Sequence, residues 1–181
     1  MFDFPLHMYA PLICLEKSNL KIQVSPVALN HDEMTFVDYL KAYVETHDAE
    51  LANKSLYFLR NKSKVGMGFF EADNFYPDYI LWIDTLEKQY ITFIDPKGLL
   101  RTKPDDPKIE FCKKIKELET RLSFTAEGKQ IVLNSFIMSA TPASELRIWW
   151  NVDREYREAR NVYTLDNVEC VTLMIEKILN S

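Results

Sequence analysis

The residues best suited to chemistry are two aspartates and a lysine. Asp78 follows Pro77, Asp95 comes after sixteen intervening residues, and Asp95-Pro96-Lys97-Gly98 sets an ammonium two positions beyond the second acid. The flanking runs Phe75-Tyr76-Pro77-Asp78-Tyr79-Ile80-Leu81-Trp82-Ile83 and Gln89-Tyr90-Ile91-Thr92-Phe93-Ile94 are rich in β-branched and aromatic residues, with Asp84-Thr85-Leu86-Glu87-Lys88 between them. That pattern predicts an antiparallel hairpin with a four- or five-residue connection. If Asp84 faces Gln89, then Asp78 faces Asp95, with Cβ atoms about 5 Å apart, where like charges are destabilising. A positive group is therefore expected beside them. Lys97 meets that need, because side chains alternate along a strand and residues 95 and 97 share a face. Two carboxylates and an ammonium at the end of an apolar hairpin suit Mg²⁺, which binds through one or two carboxylates and favours phosphate substrates. The chemistry this implies is hydrolysis of a phosphodiester. Each residue also has a plain structural reading, since Asp78 after Pro77 and the run Asp95 to Gly98 make good turns. Register, shared face and lysine spacing are independent features, and together they favour a site.

Pro77-Asp78 followed by Asp95-Pro96-Lys97 resembles the signature of the PD-(D/E)xK nuclease superfamily, with Asp in the second acidic place. Four stretches resemble, more narrowly, the C-terminal endonuclease domain of type III restriction-like subunits, which are DEAD/DEAH-box helicase fusions. These are Leu56-Tyr57-Phe58-Leu59-Arg60-Asn61, Gly68-Phe69-Phe70-Glu71, Phe75-Tyr76-Pro77-Asp78 and Ile94-Asp95-Pro96-Lys97-Gly98. The likeness covers Pro26 to Ser139. It implies an α/β fold with a restriction-endonuclease-like core, a central mixed sheet in the order αβββαβ. It also implies Mg²⁺, or Mn²⁺ in its place, on Asp78, Asp95 and the Pro96 backbone carbonyl, with Asp78, Asp95 and Lys97 as the catalytic set. DNA is then the substrate, in the setting of restriction and modification, and a helicase or ATPase region or a modification subunit is the partner. Members of the superfamily often carry a further acid on the first helix, and Glu33 is the candidate here. The competing reading is a nuclease-fold module that binds DNA or docks onto a helicase without cutting. A third is a structural domain in which Asp78 and Lys97 form a salt bridge.

The elements that must position these residues follow in chain order. Residues 1–26 read as a junction holding a small hairpin, Leu12 to Leu15 against Lys21 to Val24. Residues 27–181 read as one domain, with a core over about 30–140 and an elaboration over 141–181. Asn30 caps a first helix and Glu33, three residues on, completes a capping box. Met34, Phe36, Val37, Leu40, Tyr43 and Val44 then recur at helical spacing. Glu33 lies on that stripe, so it can either cap the helix or project toward the sheet. Ser55 to Asn61 is the first sheet strand, and Val65 to Phe70 a short second one. Glu71 and Asp73 are candidate extra ligands, with solvated loop acids as the plain alternative. Asp106-Pro107 opens a second helix with Phe111, Cys112, Ile115, Leu118 and Leu122 on its buried side. Gln130 to Ser139 is an apolar strand, and strands apolar on both faces call for helices on both sides of the sheet. Beyond Pro142, Arg154, Arg157 and Arg160 are spaced three apart among acids, which reads as a salt-bridged outer helix with core tryptophans. Val162 to Leu165 is a final strand and Val168 to Leu179 a terminal helix.

Composition narrows the partners. The chain has 181 residues, 47% hydrophobic and 27% charged, the pattern of one globular domain. Three scattered cysteines form no Cys-x-x-Cys pair, so no disulfide framework or zinc site is indicated and a reducing cytoplasm fits. No apolar run reaches membrane-spanning length. The net charge of −5 works against nonspecific DNA affinity, which depends on Lys and Arg neutralising phosphates. Positive charge nevertheless gathers after the acids, and Arg101, Lys103 and Lys113 are the candidate backbone contacts; the plain alternative is a solvated helix face. No Gly-x-x-x-x-Gly-Lys loop occurs, so a motor would lie on another segment. His7, His31 and His47 lack zinc-hydrolase spacing, and no serine or thiol nucleophile motif is present.

Overall fold

The computed structural model describes residues 8–9, 28–61, 67–69, 75–122, 125–126 and 128–181. Along the chain run β1 (Met8–Tyr9), α1 (His31–Thr46), α2 (Asp48–Leu51), β2 (Ser55–Arg60), β3 (Tyr79–Asp84), β4 (Lys88–Lys97), α3 (Pro107–Leu122), β5 (Thr125–Ala126), β6 (Lys129–Ser139), α4 (Ala143–Trp150), α5 (Arg154–Ala159), β7 (Val162–Thr164) and α6 (Cys170–Leu179). The hairpin β3–β4 forms with Asp84 opposite Gln89 and its last ladder pair at Tyr79 and Ile94. Thr85 fixes the turn: its hydroxyl and its N–H both donate to the Lys88 carbonyl, and the hydroxyl accepts the Lys88 N–H.

The sheet is mixed. Its strand order is β1-β2-β3-β4-β6, with β5 and β7 both on the far side of β6, at opposite ends of that strand. β2, β3 and β4 are antiparallel, whereas β6 runs parallel to β4 and reaches it through the crossover helix α3. α1 starts as its sequence requires. The Asn30 side chain accepts the Glu33 N–H at 2.9 Å and a Glu33 carboxylate oxygen accepts the Asn30 N–H at 2.7 Å. Its stripe of Phe36, Val37, Leu40, Tyr43 and Val44 buries against Phe58, Tyr79, Leu81 and Ile94, together with Val171, Met174, Ile175 and Ile178 of α6. Phe111 and Ile115 of α3 cover the opposite face through Ile80, Phe93 and Leu133, with Phe75 packed beside them. Each such side chain gains roughly 1.5–3 kcal/mol on full burial, so the strand ends are held by well-anchored neighbours.

Three expectations change. The second face is only partly covered: Tyr57, Leu59, Ile80 and Trp82 line an open groove, and Trp82 is 40% exposed. Of the two tryptophans on α4, Trp150 is buried and its indole N–H donates to the Thr102 carbonyl at 2.7 Å, whereas Trp149 is 68% exposed and no part of the core. Adjacent helix residues point in different directions, so one helix face cannot bury both. Of the strand expected over Val65 to Phe70, the described part is a bridge in which Phe69 and Phe75 exchange backbone hydrogen bonds. The Leu12–Leu15 and Lys21–Val24 hairpin, Glu71 and Asp73 lie outside the described residues. Among the described residues no helix is long and apolar enough to cross a membrane.

Candidate active site

Asp78 immediately precedes β3, and the hairpin register carries it across from Asp95 near the end of β4. The two carboxyl groups lie within hydrogen-bonding reach of each other. Burial raises the Asp78 carboxyl from its usual range to about 7, and the hydrogen bond and charge of Asp95 add to that effect. The more distant Glu33 charge pushes the same way and Lys97 opposes it. Two carboxylates this close resist holding two negative charges, so the pair retains a proton near neutrality.

Lys97 projects from the same face as Asp95. Its ammonium donates to Asp95 Oδ2 and stands 5.6 Å from the centre of the Phe75 ring. A carboxylate on one side and an aromatic face on the other hold the cation at a defined position. Phe75 is itself fixed by Phe111, whose ring centre is 5.4 Å away. Pro96 sits within β4, where a missing N–H usually costs a ladder bond. Here it does not. The Lys97 carbonyl accepts the Ala140 N–H on the β6 side. Backbone polar groups alternate along a strand, so Pro96 faces the β3 side, beyond the last ladder pair. Its carbonyl is directed to the side from which Asp78 approaches.

Asn61, at the exit of β2, has a role that sequence reasoning missed. Its amide nitrogen donates to the Met67 carbonyl at 2.7 Å and the Pro77 carbonyl at 2.8 Å, its side-chain oxygen accepts the Met67 N–H, and its own N–H donates to the Asp78 carbonyl at 2.7 Å. One side chain thus fastens the segment that delivers Asp78. Gly68 belongs to the same arrangement, because a Cβ there would fall 2.3 Å from the Tyr76 ring. The only signal in the sequence was an amide at a strand exit, which many roles could explain.

Glu33 is placed elsewhere. It shares the buried face of Tyr79 and Arg60, the cross-strand pair on the α1 side. One oxygen closes the helix cap and the other lies 3.5 Å from an Arg60 guanidinium nitrogen. Among the described residues no three His, Cys, Asp or Glu side chains gather to hold a metal, so Glu33 does not join Asp78 and Asp95 in one set. The Tyr79 hydroxyl is buried beside Glu33 and Arg60; burial first, and then the Glu33 charge, push its pKa upward.

The basic residues divide in the same way. Arg101 and Lys103 are exposed on the turn between β4 and α3. That turn is anchored by the Leu99 N–H, which donates to Thr141 Oγ1 at 2.8 Å. Lys113, on α3, pairs with Glu110 at 2.5 Å, and Glu110 also takes Arg160 at 2.6 Å. Burial alone would raise the Glu110 carboxyl, but these two cations outweigh it and hold it below its usual range. The charge of Lys113 is therefore largely spent within the helix surface. Comparison of the chain with protein-family models, curated proteins and solved structures finds no match.

Proposed function

We propose that this chain is a metal-dependent phosphodiesterase domain that cuts the DNA backbone, with a restriction-endonuclease-like core and a PD-(D/E)xK-type site at Asp78, Asp95 and Lys97. The observation that carries the reading is the face-to-face Asp78–Asp95 pair at the end of the hairpin, with Lys97 bound to it. The order of helix, three antiparallel strands, helix and parallel strand supports the finer fold reading. The donor set fits Mg²⁺: two carboxylates that repel each other and the Pro96 carbonyl are hard oxygen ligands, and a dication is what such a pair lacks. When bound there, the ion supplies Lewis-acid polarisation of a phosphoryl oxygen and lowers the pKa of water.

The chain's own residues supply the rest. Lys97, fixed between Asp95 and Phe75, donates to a non-bridging phosphate oxygen as negative charge develops, or orients the attacking water. Asp95 keeps that ammonium in place through a direct ion pair. Asp78, held by the Asn61 clasp, gives up its proton above about pH 7 and then presents a full carboxylate. Arg101 and Lys103 are placed to meet backbone phosphates beyond the scissile one. A helicase or ATPase region, or a modification subunit, would supply the affinity that a net charge of −5 withholds.

The net charge of −5, which withholds affinity for a free duplex, favours a second reading, a nuclease-fold module that docks onto a partner without cutting. The two separate in one experiment. Mg²⁺ or Mn²⁺ should raise the thermal midpoint of the wild type, and Asp95→Ala should abolish the rise. Plasmid cleavage should fall about 10²–10³-fold in Lys97→Ala while the metal-induced rise persists. An unchanged midpoint in metal, or cutting at the wild-type rate in Lys97→Ala, would remove the catalytic reading.

A further inference from the structure

The three arginines spaced along α5 do not share one fate. Arg154 donates to Glu158 at 2.5 Å, and Arg160 donates to Glu110 at 2.6 Å while its guanidinium lies 3.5 Å from the centre of the Tyr156 ring. Arg157, between them, is only 8% exposed, and among the described residues its Nε has no hydrogen-bond partner. An arginine cannot shed its proton, and a buried donor left without an acceptor is costly. A counter-group from outside the chain would relieve that cost.

Arg157 lines a cleft of about 320 Å³, together with Arg154, Glu158, Asp166, Asn167 and Glu169. The N-cap of α6, Glu169, lines it as well, and the entry to that helix is held by Asn167, which accepts the Glu169 N–H at 3.1 Å through Oδ1 and the Cys170 N–H at 3.0 Å through its carbonyl. The acids of the cleft do not neutralise Arg157. Glu158 is committed to Arg154, Asp166 Oδ2 accepts the Ala143 N–H at the start of α4, and Asp166 and Glu169 are exposed to solvent. Among the charged residues lining the cleft, Arg157 alone is buried. Its planar fork matches the geometry of phosphate oxygens. The cleft lies at the carboxyl end of β7, where Thr164 pairs with Ser139 and Ser139 pairs with Lys97. At about 4.8 Å per strand this is roughly 10 Å from Lys97 along the same sheet edge, the edge at which open α/β sheets receive ligands.

We propose that the cleft between α5, β7 and the start of α6 is a phosphate-binding site in which Arg157 receives one phosphoryl oxyanion. The site does not depend on the nuclease reading and would persist if Asp78 and Asp95 hold no metal. Inorganic phosphate at ten times its dissociation constant should raise the thermal midpoint by about 4 °C over chloride at equal ionic strength. Arg157→Gln should lose that increment without being less stable in chloride. In parallel, the ³¹P line of phosphate should broaden with the wild type and stay sharp with the variant. Equal increments in both proteins, or a line unbroadened by the wild type, would overturn the site. Should Arg157→Gln fail to fold, Arg157→Lys, which keeps the charge without the fork, should show at least tenfold weaker phosphate binding; unchanged binding would again overturn it. A short single-stranded oligonucleotide without terminal phosphate then names the source. If it displaces inorganic phosphate, the ligand is a backbone diester; if it does not, the ligand is a free or terminal phosphate. Either result supports the site.

Discussion

Two acids stand on opposite faces of one sheet edge and meet opposite fates. Glu33, on the α1 side, closes a helix cap with one oxygen and meets Arg60 with the other. Asp78, on the α3 side, confronts another carboxylate, and the nearby ammonium is bound to that second acid. A carboxylate whose charge is matched by donors needs nothing further. One pressed against its own kind stores a repulsion that a ligand can release, and perturbed carboxyl pairs of that sort mark functional sites. The difference lies in which neighbours the topology supplies: the first turn of α1 sets Glu33 beside Arg60, and the hairpin register sets Asp78 beside Asp95.

The contrast can be broken first at the level of rate. Lys97→Ala should lower plasmid cleavage in Mg²⁺ about 10²–10³-fold, and Glu33→Gln should leave cleavage in the wild-type range. An equally deep loss in Glu33→Gln would erase the distinction between the faces. Stability should respond in the reverse order. Glu33→Gln weakens the charge-assisted contact with Arg60 and should cost about 2 kcal/mol, read as a lower urea midpoint at unchanged slope. Asp78→Asn should instead stabilise the metal-free protein at pH 8, by about 2 kcal/mol, less than full linkage would give because the carboxyl is partly exposed.

The pH dependence sharpens the last point. Asp78 holds its proton more tightly folded, with a pKa of about 7, than unfolded, near 3.8. Stability from this group is therefore complete below about pH 4 and is lost as pH rises through 7. The wild type should lose stability across that window and Asp78→Asn should not; parallel curves would place the strain elsewhere. The smallest effect belongs to Lys113. Because Glu110 already holds it, Lys113→Ala should change stability by no more than about 0.5 kcal/mol. It should also leave the salt dependence of DNA binding unchanged, whereas Arg101→Ala should lower that slope by about one. A lower slope in Lys113→Ala would show that its ion pair yields to DNA.

The hairpin register was legible because a short polar break between two β-rich runs leaves one sensible pairing, and that pairing alone carries Asp78 to Asp95. The capping box of α1 and the Asp106 start of α3 were legible for the same reason: their signals are local, and Asp106 Oδ1 does accept the Lys108 N–H at 2.9 Å. What could not be read joins residues far apart in the chain. The Arg60 partner of Glu33 lies 27 positions away, the Pro77 carbonyl held by Asn61 lies 16 away, and neither pair repeats with any period. The exposure of Trp149 was hidden because two adjacent aromatics read alike until a neighbour buries one of them. The isolation of Arg157 was invisible, since its two spaced companions find acids and it does not.

The Asn61 clasp also separates two kinds of change. Because one amide binds Met67 at both backbone groups and Pro77 at its carbonyl, a change at position 61 acts on the approach to Asp78, whereas a change within β3 acts on the ladder itself.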